Sequence, residues 1–384
     1  MKALRRRKNA NSSTRKTNKQ MMAKMKKTTT NAAMSITVVV ILAMWASAYS
    51  SHISPRECGW YDVLGMTFPI FATASAIALV LWLVLKPRLA LVPFFGLLFC
   101  LSDLRAYCPV NIHIDPPAGS LKIMSYNVRN FCGTENDDGE VKEQIISTIV
   151  NSNADIVCIQ EGGFYPGWEN TEKKLREIYK YMDVVGDTRN TTTMRCFSKL
   201  KIIKTEQLVF PESSNTTVAY YLKNHGGDTI IVVSNHLQSD NLTPKELDNY
   251  SAMVKGKETA GKSPRKIVAP VLRKIARAAE KRSTQVDKVV AFIKAHKNTP
   301  MILCGDFNDT PISYTRREFA HRLTDAYAAT GLGPGFSYTS NGMHVRIDYM
   351  MCSRHWKPYA AKVNSHAKGS DHYPITAFFK LKTK

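Results

Sequence analysis

Six places along this 384-residue chain join an apolar run to a carboxylate, an amide or an imidazole. Asn127 follows LKIMSY, Gln160-Glu161 follows DIVCI and Asn235-His236 follows TIIVVS. Asp306 and Asn308 follow MILCG, Asp348 lies within VRIDYMM, and Ser370-Asp371-His372 precedes the last apolar run. One polar residue at such a junction is usually a cap or a turn residue. Six junctions of the same kind point to a shared purpose, because the ends of buried strands are where a fold presents chemistry. The chemistry these side chains suit is hydrolysis at phosphorus. A hard divalent cation, Mg²⁺ or Mn²⁺, takes oxygen ligands; Glu161 is the leading ligand, with Asn127 and Asp371 completing or supporting the shell. Asp306 would accept the proton of the attacking water, and Asn308 would orient Asp306 or hold a phosphate oxygen. His372 and His236 could donate to non-bridging oxygens and stabilise the charge that develops on them. Asp348 could fix one tautomer of His372 and favour its protonated form. Arg129, Arg195 and Arg346 are the cations that could bind the substrate phosphate.

The elements that must carry these residues alternate between strand and helix. Strands are expected at Leu121–Tyr126, 155–160, Thr229–Ser234, Met301–Cys304, Val345–Met351 and Pro374–Phe379, and helices at Val141–Val150 and Trp168–Tyr181. Several strands are apolar on both faces, which predicts stacked sheets covered by helices. Between about 241 and 297 lies an insert. Thr243-Pro244-Lys245-Glu246 reads as a capping box with proline at the first helical position, and Ser263-Pro264 opens a longer helix. Residues 241–283 carry eleven Lys/Arg against four Asp/Glu, a charge suited either to an anionic ligand or to a solvated helix face. Aromatic side chains for stacking on bases are nearly absent there, Tyr250 excepted.

The first 120 residues read differently. Residues 1–33 look like a basic, disordered tail, with eleven Lys/Arg before Thr28. No charged residue occurs from Thr28 to Pro55, nor in the 23 residues from Val63 to Leu85. The second run is long enough to cross a bilayer. A third run, Leu89–Ser102, has 14 residues, short of the roughly 17–25 that spanning takes. Residues 34–106 thus read as two or three transmembrane helices and 107–120, with Pro116-Pro117, as a linker to a domain over 121–384. The lysine and arginine bias keeps the tail cytoplasmic. A third crossing would put the large domain on the outer, periplasmic side of a bacterial inner membrane. Three crossings would also put Cys58 and Cys108 on one side, where a disulfide could join them.

The apolar share, 44%, excludes a disordered chain, and eight cysteines in 384 residues exclude a disulfide scaffold. Cys132, Cys158, Cys196, Cys304 and Cys352 show no zinc spacing and read as small core residues. The net charge of +22 is concentrated at the start, yet 121–384 still carries 38 Lys/Arg against 27 Asp/Glu.

At MSYNVRNF (124–131), DIVCIQEG (155–162), SNHLQS (234–239), LCGDFND (303–309), RIDYM (346–350) and SDHYP (370–374), the chain resembles the endonuclease/exonuclease/phosphatase superfamily. Its members include pancreatic-type deoxyribonucleases, exonuclease III-like nucleases, inositol polyphosphate 5-phosphatases and bacterial neutral sphingomyelinases. The resemblance implies a four-layer α/β/β/α sandwich and a divalent-metal-dependent phosphoesterase acting on phosphodiesters or phosphomonoesters, with nucleic acid or a lipid head group as substrate. It gives Glu161 the metal with Asn127 beside it, Asp371 a second metal-side carboxylate, and Asp306 the role of base with Asn308 as phosphate-binding companion. Asp348 and His372 become the carboxylate–histidine pair. His236 matches the second histidine of the deoxyribonuclease and sphingomyelinase branches. The mid-chain tyrosine of the abasic-site nucleases has no clear counterpart; Tyr220 and Tyr221 are the candidates. The alternatives are a lipid phosphodiesterase and a non-catalytic polyanion-binding module on a membrane stalk.

Overall fold

The computed structural model describes residues 2–131, 139–163, 168–186, 192–254, 264–340 and 342–382. They form two compact units, one of Met1–Ala46 with Thr67–Leu101, the other of Ser47–Met66 with Ser102–Lys384.

The first unit is helical. It holds most of α1 (Lys2–Ser50), α3 (Phe68–Leu85) and α4 (Leu91–Phe99), while the short α2 (Trp60–Gly65) and nearly all of α5 (Leu101–Tyr107) belong to the second unit. The segment expected to be a disordered tail is therefore helical. No glycine or proline interrupts residues 1–50, so the apolar half propagates backward without a breaker. Thr28, Thr29 and Thr30 return their hydroxyls to the carbonyls one turn earlier. Few polar contacts pin these apolar helices together. Trp82 donates to Thr37 Oγ1 at 3.0 Å, and Trp45 to the Gly96 carbonyl at 2.9 Å. Ile36, Val39, Leu83 and Val84 stay exposed. Two helices among the described residues are long and apolar enough to cross a membrane, Asn18–Ser50 and Trp60–Leu85; a third counts if Pro87–Phe99 and Leu101–Tyr107 are taken as one broken span.

The second unit is an α/β sandwich. Along the chain come β1 (Leu121–Asn127), α6 (Glu140–Ser152), β2 (Ile156–Gln160), α7 (Trp168–Ile178), β3 (Tyr181–Val185), β4 (Met194–Ser198), β5 (Ile202–Val209), β6 (Thr216–Lys223) and β7 (Thr229–His236). The insert follows as α8 (Pro244–Val254) and α9 (Pro264–Ala295), then β8 (Met301–Asp306), α10 (Tyr314–Ala320), β9 (Thr324–Asp325) and α11 (Ala326–Thr330). The chain ends with β10 (Tyr338–Ser340), β11 (Met343–Val345), β12 (Asp348–Cys352), β13 (Trp356–Val363) and β14 (Ile375–Leu381). Two six-stranded sheets result, ordered β13-β14-β1-β2-β4-β3 and β5-β6-β7-β8-β12-β9.

Side-chain alternation assigns the layers. Ile302 and Cys304 of β8, with Ile230 and Val232 of β7, join Ile123, Cys158 and Cys196 in the core between the sheets. Met301, Leu303, Ile231 and Val233 point the other way, against Val286, Val289 and Ile293 of α9 and Phe319 of α10. Met124, Tyr126, Val157 and Ile159 pack on Ile145 and Ile149 of α6 and Leu175 of α7. The order is therefore α/β/β/α, and both faces of the central strands are buried, which is why MILC and TIIVV read as unbroken apolar runs. The strand expected over Val345–Met351 is two strands. Arg346 and Ile347 interrupt it, so Asp348 begins β12 rather than sitting inside a strand. The capping box forms as expected, with the Thr243 N–H on Glu246 Oε2 at 2.8 Å and the Glu246 N–H on Thr243 Oγ1 at 3.3 Å. Cys158, Cys196, Cys304 and Cys352 are buried free thiols; Cys58 and Cys108 are also free, and Cys132 lies outside the described residues.

Candidate active site

Strand register brings the six junctions together. Parallel pairing sets His236 of β7 opposite Asp306 of β8, and antiparallel pairing sets Asp348 of β12 opposite Asp306 on its other side. Three neighbouring strands, roughly 4.8 Å apart, thus present His, Asp and Asp in one row. On the facing sheet, parallel pairing aligns Asn127 of β1 with Gln160 of β2, with Glu161 next in the chain. The Ser370 hydroxyl donates to the Asn127 carbonyl at 2.8 Å and so holds the Ser370-Asp371-His372 turn at the same end. Beneath the site a buried polar chain stitches the sheets. Gln160 Nε2 donates to Ser234 Oγ at 2.9 Å and to Ser125 Oγ at 3.2 Å.

Asn127 bridges the carboxylates, its Nδ2 donating to Glu161 Oε1 and to Asp306 Oδ2, both at 3.0 Å. His236 Nε2 lies 3.5 Å from Glu161 and 3.8 Å from Asp306, while its buried Nδ1 has no hydrogen-bond partner. His372 Nδ1 donates to Asp348 Oδ2 at 2.9 Å and its Nε2 lies 3.7 Å from Asp306. The Tyr338 ring stands edge-on to His372 at 4.9 Å. Asn308 sends its backbone N–H to Asp306 Oδ1 at 2.8 Å and its side-chain amide to the Leu237 carbonyl at 2.9 Å. Glu161 and Asn308 both hold positive φ, 52° and 53°, a conformation costly to a side chain and tolerated where function needs it.

Electrostatics separates the roles. Burial drives the Asp306 carboxyl up to about 6 against the pull of His372. For His372 burial works downward, but Asp348 and then Asp306 overcome it and lift the imidazole to about 10. The pair is thus a carboxyl tuned toward neutral pH beside an imidazolium.

Most of these side chains line one cavity of about 370 Å³, including Glu161, His236, Asp306, Asn308, Asp371, His372 and Arg129. Arg129 is partly exposed, 3.8 Å from Asp371. The two other arginines lie elsewhere. Arg195 is buried, donates to the Gly162 carbonyl and stacks over Trp168. Arg346, expected on the substrate, is 1% exposed, bonds the carbonyls of Ala106 and Pro334, and lies over the Tyr327 ring. The break between β11 and β12 turns it inward, where it braces the end of α5.

Glu161, Asp371 and Asn127 are the residues that would hold a divalent cation. Glu161 and Asp371 keep side-chain exposures of 26% and 20% and supply hard oxygen donors beside the Asn127 amide. Asp306, Asp348 and His372 also bring three metal-capable atoms within 4.8 Å of one another. That trio suits a metal less well, because a protonated imidazole hydrogen-bonded to a carboxylate has no lone pair to offer.

The model of the Endonuclease/Exonuclease/phosphatase family matches residues 124–372. The chain belongs to that family. Its chemistry is metal-dependent hydrolysis of phosphate esters. A domain of unknown function (DUF8431) matches residues 30–107. The human Nocturnin catalytic domain with bound sulfate anion superimposes with a TM-score of 0.51 at 16% identity, over 71% of this chain and 97% of that one. An endonuclease/exonuclease/phosphatase from Beutenbergia cavernae gives 0.50 at 17% identity, over 68% and 72%. A search of the curated proteins finds no match. At these identities the likeness concerns the family fold.

Sequence reasoning missed the charged residues behind the site. Arg282, Asp240, Asp309 and Asp62 all line the cavity with Tyr338, Met343 and Val345. Asp309 stands in the LCGDFND motif, but Arg282 carries no signal beyond the basic composition of α9, and Asp62 lies more than 170 residues from the nearest of the others.

Proposed function

We propose that this protein is a membrane-anchored, Mg²⁺- or Mn²⁺-dependent phosphoesterase whose catalytic unit lies on the outer side of a bacterial inner membrane. The observation that carries the catalytic reading is the convergence of Glu161, His236, Asp306, Asp371 and His372 at one cavity from both sheets, with Asn127 and Asp348 hydrogen-bonded to them. Glu161, Asp371 and Asn127 would hold the cation, which supplies charge neutralisation at the phosphoryl oxygens. Asp306, oriented by the Asn308 N–H, takes a proton from the attacking water. His372 and His236 donate to the non-bridging oxygens, and Asp348 keeps His372 charged. Arg129 attracts the phosphate from the rim.

The lining favours an ester with a single phosphate. Six carboxylates face or edge the cavity (Asp62, Glu161, Asp240, Asp306, Asp309 and Asp371) against Arg129, Arg282 and the His372 imidazolium. Arg282 is already spent on carboxylates. A polyphosphorylated ligand or a long nucleic acid strand would meet more repulsion there than a phosphodiester with a neutral or cationic remainder. A head-group ester is the substrate class that fits both this lining and an anchor.

Connectivity supports the outer side. The basic start of α1 stays cytoplasmic by charge bias. Ser47–Met66, beyond the first apolar stretch, belongs to the same compact unit as the catalytic residues. The catalytic domain must then share its side of the membrane. The chain between would cross twice, once by Phe68–Leu85, about 27 Å long at ~1.5 Å per residue, and back by the residues from Pro87 to Leu101.

The test is a panel of sphingomyelin, other head-group esters, inositol phosphates, plasmid DNA, RNA and bis(4-nitrophenyl) phosphate, each with Mg²⁺ and with EDTA. Turnover of the single-phosphate esters that EDTA stops is the expected result. Preferred cleavage of DNA or RNA refutes the substrate class, and no turnover on any member refutes the enzyme reading.

A further inference from the structure

We infer that the loop between the first two apolar helices is a working part of the catalytic centre, in which Asp62 is a positioning residue acting through Arg282. The inference rests on the phosphoesterase reading above.

Arg282, on α9, is 1% exposed and donates from all three of its nitrogens. Its Nε donates to Asp309 Oδ2 at 3.1 Å, Nη1 to the Gln238 carbonyl at 2.8 Å and to Asp240 Oδ1 at 3.2 Å, and Nη2 to Asp62 Oδ2 at 3.3 Å. Two of these partners belong to the catalytic loops. Gln238 comes two residues after His236, and Asp309 directly follows Asn308. One helical turn on, Gln285 Oε1 accepts the Gln238 N–H at 2.7 Å. Arg282 therefore ties the loop that follows His236 to the loop that follows Asp306 and carries Asn308. A guanidinium is planar, and its donors are fixed relative to one another. Freeing one nitrogen lets the plane tilt and carries the loops with it.

Asp62 alone among these partners comes from outside residues 121–384. Its side chain is 2% exposed, and α2, which bears it, is packed against α9 at its start and against the backbone at Ile312 at its end. At Gly59 a Cβ would collide with the Ala276 carbonyl of α9, and at Gly65 with the Ile312 carbonyl. These are backbone-to-backbone approaches that only glycine permits. Arg56 adds an ion pair to Asp287 of α9 at 2.6 Å. Met66, just past α2, lines the same cavity as Asp62 and His236. A segment packed this closely, with a buried carboxylate aimed at a cation that joins both catalytic loops, is a wall of the site as well as a link between two membrane helices.

The experiment compares full-length wild type, Asp62→Asn, Asp62→Ala and Arg56→Ala in nanodiscs with Mg²⁺. Steady-state hydrolysis of bis(4-nitrophenyl) phosphate is one readout, and hydrogen exchange of peptides covering 236–240 and 306–310 is the other. Loss of a positioning contact should lower kcat by roughly 10- to 100-fold in Asp62→Ala, with KM within about threefold. Asp62→Asn, which keeps an acceptor oxygen, should fall between. Exchange in both loops should quicken in Asp62→Ala and stay at the wild-type rate in Arg56→Ala. That control loses only a half-exposed pair, and such pairs contribute little. Wild-type kcat and exchange in Asp62→Ala would overturn the inference. So would a loss matched by Arg56→Ala, or one accounted for by the unfolded fraction. If wild type hydrolyses no member of the panel, the phosphoesterase reading falls instead, and exchange still decides whether Asp62 holds the loops.

Discussion

Replacing Asp348 by Asn tests the charge logic of the site most directly. His372 is buried, donates through Nδ1 to Asp348 at 2.9 Å and stands 3.7 Å from Asp306 through Nε2. Burial works against its charge, yet Asp348 leads the interactions that raise it to about 10. At pH 8 the wild-type ring is therefore almost wholly protonated and can donate from Nε2 to a phosphoryl oxygen. Asn keeps the size and an acceptor oxygen but removes the charge. At the ordinary value near 6.5, only about 3% of the imidazole is protonated at pH 8. Asp306 remains close and retains part of the effect, so the expected loss in kcat at pH 8 is about two- to tenfold. The assay is a pH–rate profile from pH 5 to 10.5. The wild-type alkaline limb should fall near 10, and in Asp348→Asn it should move to about 7–8 with activity recovering toward pH 6. An unmoved alkaline limb, or a loss uniform across pH, would refute the reasoning. Stability carries the same sign. A raised imidazole value stabilises the fold fully below about pH 6.5 and is lost as pH rises through about 10, so Asp348→Asn should flatten that alkaline decline in Tm.

Asp306→Ala should abolish hydrolysis while circular dichroism stays native; unchanged turnover would remove Asp306 from the reaction. The acid limb of the wild-type profile should reflect the Asp306 carboxyl, held up to about 6 by burial, with activity rising as it ionises. Added Mg²⁺ should draw that limb lower. Glu161→Gln should weaken Mg²⁺ binding by about tenfold or more in calorimetry, and unaltered affinity would place the cation elsewhere. Reporter fusions should read cytoplasmic after Leu85 and external after Ser120; both cytoplasmic would remove the third crossing, and both external would remove the second and third.

Much of the catalytic half was legible because its signals are local. An apolar run that stops at Asn127, Glu161, His236 or Asp306 identifies a buried strand and the polar residue at its end, whatever the strand pairs with. The family resemblance carried by the ordered motifs then implied the four-layer sandwich, and Thr243 with Glu246 sufficed for the start of α8. Period-two alternation could not show that Arg346 and Ile347 break the strand before Asp348, since the run stays apolar on both sides of the kink. Nor could it show that Arg346 turns inward. An arginine beside a motif looks the same in sequence whether it meets a phosphate or two backbone carbonyls. The helical course of residues 2–33 was misread because a basic, Thr-rich segment has low intrinsic order. The apolar helix that it continues had already met the nucleation cost.

What the sequence determined by itself was a set of side chains of the types that suit a cation and hydrolysis at phosphorus, together with apolar helices ahead of them. Those properties reside in residue type and short-range spacing. Only the tertiary structure decided that His236, Asp306 and Asp348 stand in one row, because that depends on the register of three strands whose sequences share no local mark. It alone decided that Asp62 reaches Arg282. Their contact spans 220 positions and rests on close backbone approaches at Gly59 and Gly65, and packing of that range has no counterpart in the periodicity of either segment.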